Sequence, residues 1–304
     1  MSKRVIYGTG LFLITVAGLA AGGVIWAITL GTAALIAGNE FVVLTQAKGM
    51  HPSGRIVRNM IIAFFVVAAI PSIPWIHIPG VHLSPTWSEE HFPLLLTIGV
   101  GVSFIRLLFR GENPPATIAD IATTILGFIY VGWLPSHLVL LRNIVPPGTT
   151  LSDNPFQQPG LAYVWASLFM IVATDVFAYY AGKVFGKNLL YPQVSPKKTV
   201  EGSIGGLLAS VFWGTVVIYC ADHFIFPDHP FRYKLWQAPL MGAVVSIGAQ
   251  LGDLCESLLK RDAGVKDSGN LIPGHGGMLD RGDGLLFAGA ISYYWICLVV
   301  LNIL

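Results

Sequence analysis

The sequence predicts an all-α, polytopic integral membrane protein with about nine transmembrane helices and a cytoplasmic N-terminus. Three observations carry that prediction. Apolar residues make up 54% of the 304 and charged residues only 11%, where an ordinary soluble domain carries about 25% charge. Mean hydropathy is +0.68. Apolar runs long enough to cross the hydrocarbon core recur from one end of the chain to the other. Together they exclude a disordered chain, a fibrous repeat and a cytosolic globule.

The first apolar block, Tyr7 to Leu44, is too long for one span, and Gly22-Gly23 divides it into helices over about 7–22 and 24–46. Further spans cover about 57–75, 92–109, 114–140, 160–185, 202–226, 237–259 and 283–303, each bounded by proline, glycine or clustered charge. Lys3-Arg4 and Gly18-Leu19-Ala20 imitate a signal peptide, but a second apolar segment follows at once, so the first reads as a signal-anchor. With nine spans and the N-terminus inside, all 18 lysines and arginines except Arg142, Arg232 and Lys234 fall on one side. That asymmetry places the chain as a multi-pass protein of the cell (cytoplasmic) membrane, with its charged segments, and any active site, facing the cytoplasm.

The net charge of +2 gives no reason to expect a nucleic-acid partner. Cys220, Cys255 and Cys297 are scattered and odd in number, so they read as packing residues, not as a disulfide or zinc set. Residues 1–110 read as N-terminal transmembrane helices forming a lipid-side scaffold, and 111–304 as the C-terminal transmembrane catalytic region with cytoplasmic loops. Within the scaffold Glu40 reads as a polar packing group with no catalytic part. Trp75, Trp87 and Trp236 read as interfacial anchors, and His77, His82 and His91 lack a metal-binding spacing.

Polar residues concentrate in the C-terminal half. Asp175 sits well inside an apolar span, followed one turn later by Tyr179 and Tyr180. A carboxylate near mid-bilayer costs roughly 2.5–3.5 kcal/mol on insertion scales, so it is expected to face a polar cavity or a partner. The segment Ser195-Pro196-Lys197-Lys198-Thr199 precedes a helix start. Its ammonium groups, hydroxyls and the helix's orphan N–H groups suit a polyphosphate. Asp253, Glu256, Ser257 and Lys260, at offsets 0, 3, 4 and 7, share one face of the eighth span. After it come Arg261, Lys266-Asp267, Pro273-Gly274-His275-Gly276-Gly277 and Asp280-Arg281-Gly282-Asp283. Asp253 with Asp280 and Asp283 supplies hard oxygen ligands, and Mg²⁺ is commonly held by one or two carboxylates plus substrate phosphates.

At these residues the sequence resembles the phosphatidate cytidylyltransferase (CDP-diacylglycerol synthase) family. The match runs Ser257-Leu-Leu-Lys260-Arg261, Lys266-Asp267, then Pro273-Gly-His275-Gly-Gly-Met-Leu-Asp280-Arg281-Gly-Asp283. Gly252-Asp253-Leu-Cys-Glu256, Asp175-Val-Phe-Ala-Tyr179 and Ser195-Pro-Lys-Lys-Thr199 match too, so it covers about 170–285. One departure is Gly282, where the family usually has an apolar residue, a change expected to loosen the start of the last helix. The resemblance implies transfer of CMP from CTP to phosphatidic acid, giving CDP-diacylglycerol and pyrophosphate in phospholipid biosynthesis. It also implies Mg²⁺, with Asp253 and Asp280 as ligands, and leaves room for a second cation such as K⁺.

On that reading Asp253, Lys260, Asp280 and Asp283 are the catalytic set, and Asp253, Asp280 and Asp283 the metal ligands. Lys260, Arg261, Lys266 and Arg281 hold phosphates of lipid and nucleotide. Ser195, Lys197, Lys198 and Thr199 hold the triphosphate or pyrophosphate, while Asp175 orients the base, the ribose or a lysine. Tyr179, Glu256, Ser257, Asp267 and His275 complete the substrate site, His275 with no proton-transfer role assigned. The expected partners are CTP, phosphatidic acid and the bilayer. Oligomeric state stays open, a homodimer being one arrangement. Two alternatives stand beside this reading: a cytidylyltransferase for another lipid phosphate, such as an isoprenoid ether lipid, and an ion-coupled transporter. The second lacks the internal repeat that transporters tend to show.

Overall fold

In the computed structural model the described residues are 3–73, 87–111, 115–146, 156, 158–225, 233–270 and 276–303. The chain divides into two compact units, Met1–Asn143 with Leu259–Gly282, and Ile144–Leu258 with Asp283–Leu304. The first contains α1 (Lys3–Ala21), α2 (Gly23–Ala47), α3 (Gly54–Ala69), α4 (Trp87–Leu108), α5 (Ile118–Phe128) and α6 (Leu134–Arg142). The second contains α7 (Pro159–Phe185), a hairpin of β1 (Leu189–Tyr191) and β2 (Ser195–Thr199), α8 (Val200–Cys220), and most of α9 (Gln237–Asp262) and α10 (Leu279–Trp295). The last turn of α9 and the first of α10 belong to the first unit.

Among the described residues eight helical segments are long and apolar enough to cross a membrane, from Gly23–Ala47 to Leu279–Leu301, and Tyr7–Ala21 adds a shorter apolar helix. Each expected span corresponds to one of these helices, the first of them to the shorter one. The chain is an all-α polytopic membrane protein, and large apolar side chains stand exposed along several spans, among them Phe12, Leu13, Phe104, Ile105, Leu208 and Phe212. On a soluble protein such surface would be a liability; against lipid tails it is neutral.

In the first unit the break at Gly22 and Gly23 is real, with φ of +67° and +50°. Arg142 fills the space where a Gly22 side chain would stand, and its Nε donates to the Leu19 carbonyl at 3.0 Å. The charge count places Arg142 on the outer side as a loop residue. It is instead the fully buried last residue of α6, its cation serving the end of α1. Between α5 and α6 the helix continues through a π turn, Ile129–Trp133. Pro135 explains it: proline has no N–H to give, and the ladder widens to compensate. The His137 Nδ1–H donates to the Trp133 carbonyl at 2.8 Å.

In the second unit small residues bring backbones together. A Cβ on Gly206 would lie 2.6 Å from the Thr174 carbonyl and one on Gly202 would lie 2.7 Å from that of Ala178. Gly202 and Gly206 are spaced as G-x-x-x-G, the pattern that lets membrane helices touch. A Cβ on Gly252 would overlap the Asp283 carbonyl, so α9 and α10 also meet closely. These seams place the polar side chains of α7, α8 and α9 around a common space.

Candidate active site

The second unit holds a cavity of about 470 Å³ whose lining includes Asp175, Tyr179 and Lys183 from α7, Lys197, Lys198 and Thr199 from β2, and Asp253 from α9. The sequence shows 195–199 only as a segment that precedes a helix start. The structure makes it the second strand of an antiparallel hairpin, with Tyr191 opposite Ser195 and Leu189 opposite Thr199. Glu201 fastens the hairpin's base: its carboxylate accepts from the backbone N–H of Lys187 at 3.0 Å and from Asn188 Nδ2 at 2.7 Å. Thr199 caps α8, accepting from the Gly202 N–H at 3.1 Å. A hydroxyl that accepts in this way still has its own hydrogen to give a ligand.

The hairpin delivers Lys198 to Asp253, Nζ to Oδ2 at 2.5 Å, with both side chains about a third exposed, at 27% and 32%. A charge pair on a cavity wall, open to a ligand, is a pair that a polyphosphate and its counter-ion can divide. Two further polar residues line the cavity, Ser203 and Gln250. The Ser203 hydroxyl donates to Gln250 Oε1, and Gln250 Nε2 donates to the Ser246 hydroxyl at 3.1 Å. Sequence reading passes over both. The signal was present: Gln250 lies one turn before Asp253 on the same face, and Ser203 one turn after Thr199.

The first unit holds a second polar cluster, around Asp280. Its Oδ1 accepts from Lys260 Nζ at 2.7 Å. Its Oδ2 accepts from the backbone N–H groups of Ser268 and Gly277, both at 2.8 Å, and is 2.9 Å from the Ser268 hydroxyl. Gly276 has φ +80°, and a Cβ there would lie 2.6 Å from Asp280 Oδ2, so two requirements for glycine coincide. Glu40 joins this cluster from α2. Its Oε1 accepts from the Met278 N–H at 2.9 Å, and its Oε2 from the Leu279 N–H at 2.8 Å and from the Ser268 hydroxyl at 3.0 Å. The packing role assigned from sequence is too small for a side chain with these partners.

Of the remaining sequence candidates, Glu256 and Ser257 are buried on α9, and the Ser257 hydroxyl stands 3.5 Å from Asp253 Oδ1. Tyr179 is exposed, its ring edge-on to that of Tyr180. Arg261, Lys266, Asp267 and Arg281 are exposed, with Arg261 donating to the Val265 carbonyl at 3.2 Å. Ser195 opens β2. Asp283 accepts from its neighbour's N–H, that of Gly284, at 2.7 Å. His275, Pro273 and Gly274, with Trp75, His77 and His82, lie outside the described residues.

Gly282 stands within α10, and a Cβ there would meet nothing within 4 Å. The helix runs unbroken from Leu279 through Gly282, where a glycine costs helix stability without breaking the helix. Gly282→Ala is therefore expected to stabilise the protein by about 0.5–1 kcal/mol. The check is a rise in the thermal unfolding midpoint in detergent; a fall would mean the alanine is strained.

Among the described residues no three or more His, Cys, Asp or Glu side chains group as a metal-binding set. A divalent cation arriving with phosphates needs fewer protein ligands, one or two carboxylates. Asp175 and Asp253 on one cavity wall, beside lysines, are a donor set of that kind.

The sequence matches the family described as the cytidylyltransferase family over residues 2–299. It is 34% identical over 311 residues to phosphatidate cytidylyltransferase 4, chloroplastic, of Arabidopsis thaliana, covering 97% of this chain and 73% of that one. It is 34% identical over 277 residues to the phosphatidate cytidylyltransferase of Synechocystis sp., covering 86% and 84%. With the Bacillus subtilis protein of the same name it shares 37% identity over 182 residues, 60% of each chain.

Proposed function

The chain belongs to the cytidylyltransferase family, and from that premise we propose that it is a phosphatidate cytidylyltransferase, condensing CTP with phosphatidic acid to CDP-diacylglycerol and pyrophosphate. The observation that carries the reading at residue level is the cavity that sets Lys183, Lys197 and Lys198 beside Asp175 and Asp253. It is a membrane-embedded protein's place for a highly charged, phosphate-rich ligand. The curated relatives bear the name phosphatidate cytidylyltransferase, which favours this reading over the isoprenoid ether lipid alternative.

In the reaction a phosphate monoester oxygen of the lipid attacks the α-phosphorus of CTP. The new P–O bond forms as the bond from the α-phosphorus to the bridging oxygen breaks, and pyrophosphate leaves with that electron pair. The nucleophile is ionised near neutral pH, because the second pKa of a phosphate monoester is about 6. No strong general base is required. The site's task is to bring two anions together and hold the charge that develops on the leaving group.

Lys197 and Lys198 hold the triphosphate, with Ser195 and Thr199 as hydroxyl donors. Asp175 positions the nucleoside or a lysine. Lys260, with Arg261, Lys266 and Arg281, serves phosphates near Asp280. Asp253, beside Asp175 on the cavity wall, would hold Mg²⁺ together with the phosphates of the nucleotide. When bound, Mg²⁺ offsets phosphate charge and stabilises the leaving oxygen. By the positive-inside asymmetry the lysine-rich segments face the cytoplasm, in the cell membrane.

The test incubates purified protein and labelled CTP with phosphatidate vesicles, or with vesicles of a prenyl-ether phosphate lipid. Phosphatidate is expected to take up label, at least tenfold faster than the prenyl lipid; a chelator is expected to stop uptake and Mg²⁺ to restore it. Preference for the prenyl lipid would overturn the substrate, and full activity in chelator would overturn the metal.

A further inference from the structure

We infer that Glu40, on α2, is a positioning residue that sets the Asp280 carboxylate by clamping the start of α10. This rests on the reading of the chain as a cytidylyltransferase with Asp280 in its site. The start of a helix leaves N–H groups without partners inside the helix, and at α10 they are answered from a remote helix. Both oxygens of Glu40 are engaged there, Oε1 by Met278 and Oε2 by Leu279. A carboxylate at a helix N-terminus also meets the favourable end of the helix dipole, and bonds of this charge-assisted kind are short and strong.

The same segment that Glu40 holds is the one that holds Asp280. The Ser268 hydroxyl lies between the two carboxylates, 3.0 Å from Glu40 Oε2 and 2.9 Å from Asp280 Oδ2. Gly277, whose N–H binds Asp280, precedes Met278, whose N–H binds Glu40. Glycine is needed where the chain passes Glu40: a Cβ on Gly269 would lie 2.8 Å from Glu40 Oε1, and one on Gly277 would overlap Glu40 Oε2 and the Ser268 hydroxyl. Ser268, Gly269 and Gly277 to Leu279 are thus arranged around a side chain contributed more than 200 residues earlier, 228 before Ser268. Moving Glu40 moves the donors that orient Asp280, although Glu40 itself need touch no substrate.

The experiment uses the full-length protein in detergent with the variants Glu40→Ala, Glu40→Gln, Ser268→Ala and the double variant Glu40→Gln/Ser268→Ala. Hydrogen–deuterium exchange of the peptide spanning 276–281 needs no activity, and Glu40→Ala is expected to speed it roughly tenfold. Turnover is expected to fall at least tenfold in Glu40→Ala, with KM for CTP and for phosphatidate within about threefold of wild type, because alignment and not binding is lost. The double variant is expected to be no slower than the worse single one, since both act through one network. Unchanged exchange overturns the clamp. Faster exchange with wild-type kcat, or fully additive losses, overturns its bearing on Asp280. Should Glu40→Ala not fold, Glu40→Gln and Ser268→Ala carry the same two readouts. A wild-type protein without turnover sinks the cytidylyltransferase reading, while faster exchange in the variants still upholds the clamp.

Discussion

Asp253→Asn is expected to lower kcat by about 10³-fold or more, equivalent to about 4 kcal/mol of transition-state stabilisation, while leaving the thermal midpoint close to that of wild type. Asparagine keeps the shape of the side chain and removes its charge. The residue faces a cavity and its partner Lys198 is partly exposed, so the lysine left behind stays solvated and stability changes little. If Asp253 holds Mg²⁺ as proposed, catalysis loses a hard anionic ligand beside the substrate phosphates. The measurement is steady-state kinetics beside a detergent melting curve. A variant that keeps a tenth of wild-type turnover would remove Asp253 from the catalytic set.

The second large effect is at Lys260, and it differs in kind. The Lys260 and Asp280 side chains are only 12% and 6% exposed, so the pair is largely shielded from solvent. Removing one partner of such a pair typically costs about 3–5 kcal/mol, because the other is left charged and uncompensated. Lys260→Ala is therefore expected to lower the midpoint by several degrees and to weaken binding of an anionic substrate, seen as a higher KM. Lys260→Ala/Asp280→Asn is expected to regain part of the lost stability while remaining inactive. A midpoint in the double variant below that of both singles would show that the pair is not what holds this region. By the same argument Asp280→Asn alone lowers stability as well as turnover, unlike Asp253→Asn.

Helices were the most legible part of the sequence, because a bilayer imposes a length and a composition that soluble folds do not. The Gly22-Gly23 break, the long spans and the start of α8 at Thr199 are all visible as local signals. Arg142 was not, since a charge is counted by its position along the chain and its burial depends on what packs over it. The π turn before Pro135 shifts the helix without changing its hydropathy. The hairpin was hidden by the short run Leu189-Leu190-Tyr191, which reads equally well as the tail of a helix.

The candidate site divides in the same way. Asp175, Lys197, Lys198, Thr199 and Asp253 stand out because charge is rare in this chain, and the structure gathers them on one cavity. Which lysine meets which aspartate is a tertiary fact that no spacing contains. Glu40 shows the limit most clearly: it lies in an apolar stretch, and its partners are on the far side of the sequence. The N-terminal helices accordingly do more than face lipid, since one of them holds the segment that carries Asp280.

The central claim is that CMP passes from CTP to a membrane lipid phosphate, and it is tested by where each phosphorus goes. Purified protein, Mg²⁺ and phosphatidate vesicles are incubated with CTP labelled at either the α- or the γ-phosphorus, and the lipid is extracted. The account predicts α-label in the organic phase as CDP-diacylglycerol and γ-label retained in water as pyrophosphate, in equal amounts. Label from the γ-position in the lipid, or no label in the lipid from either, would contradict it.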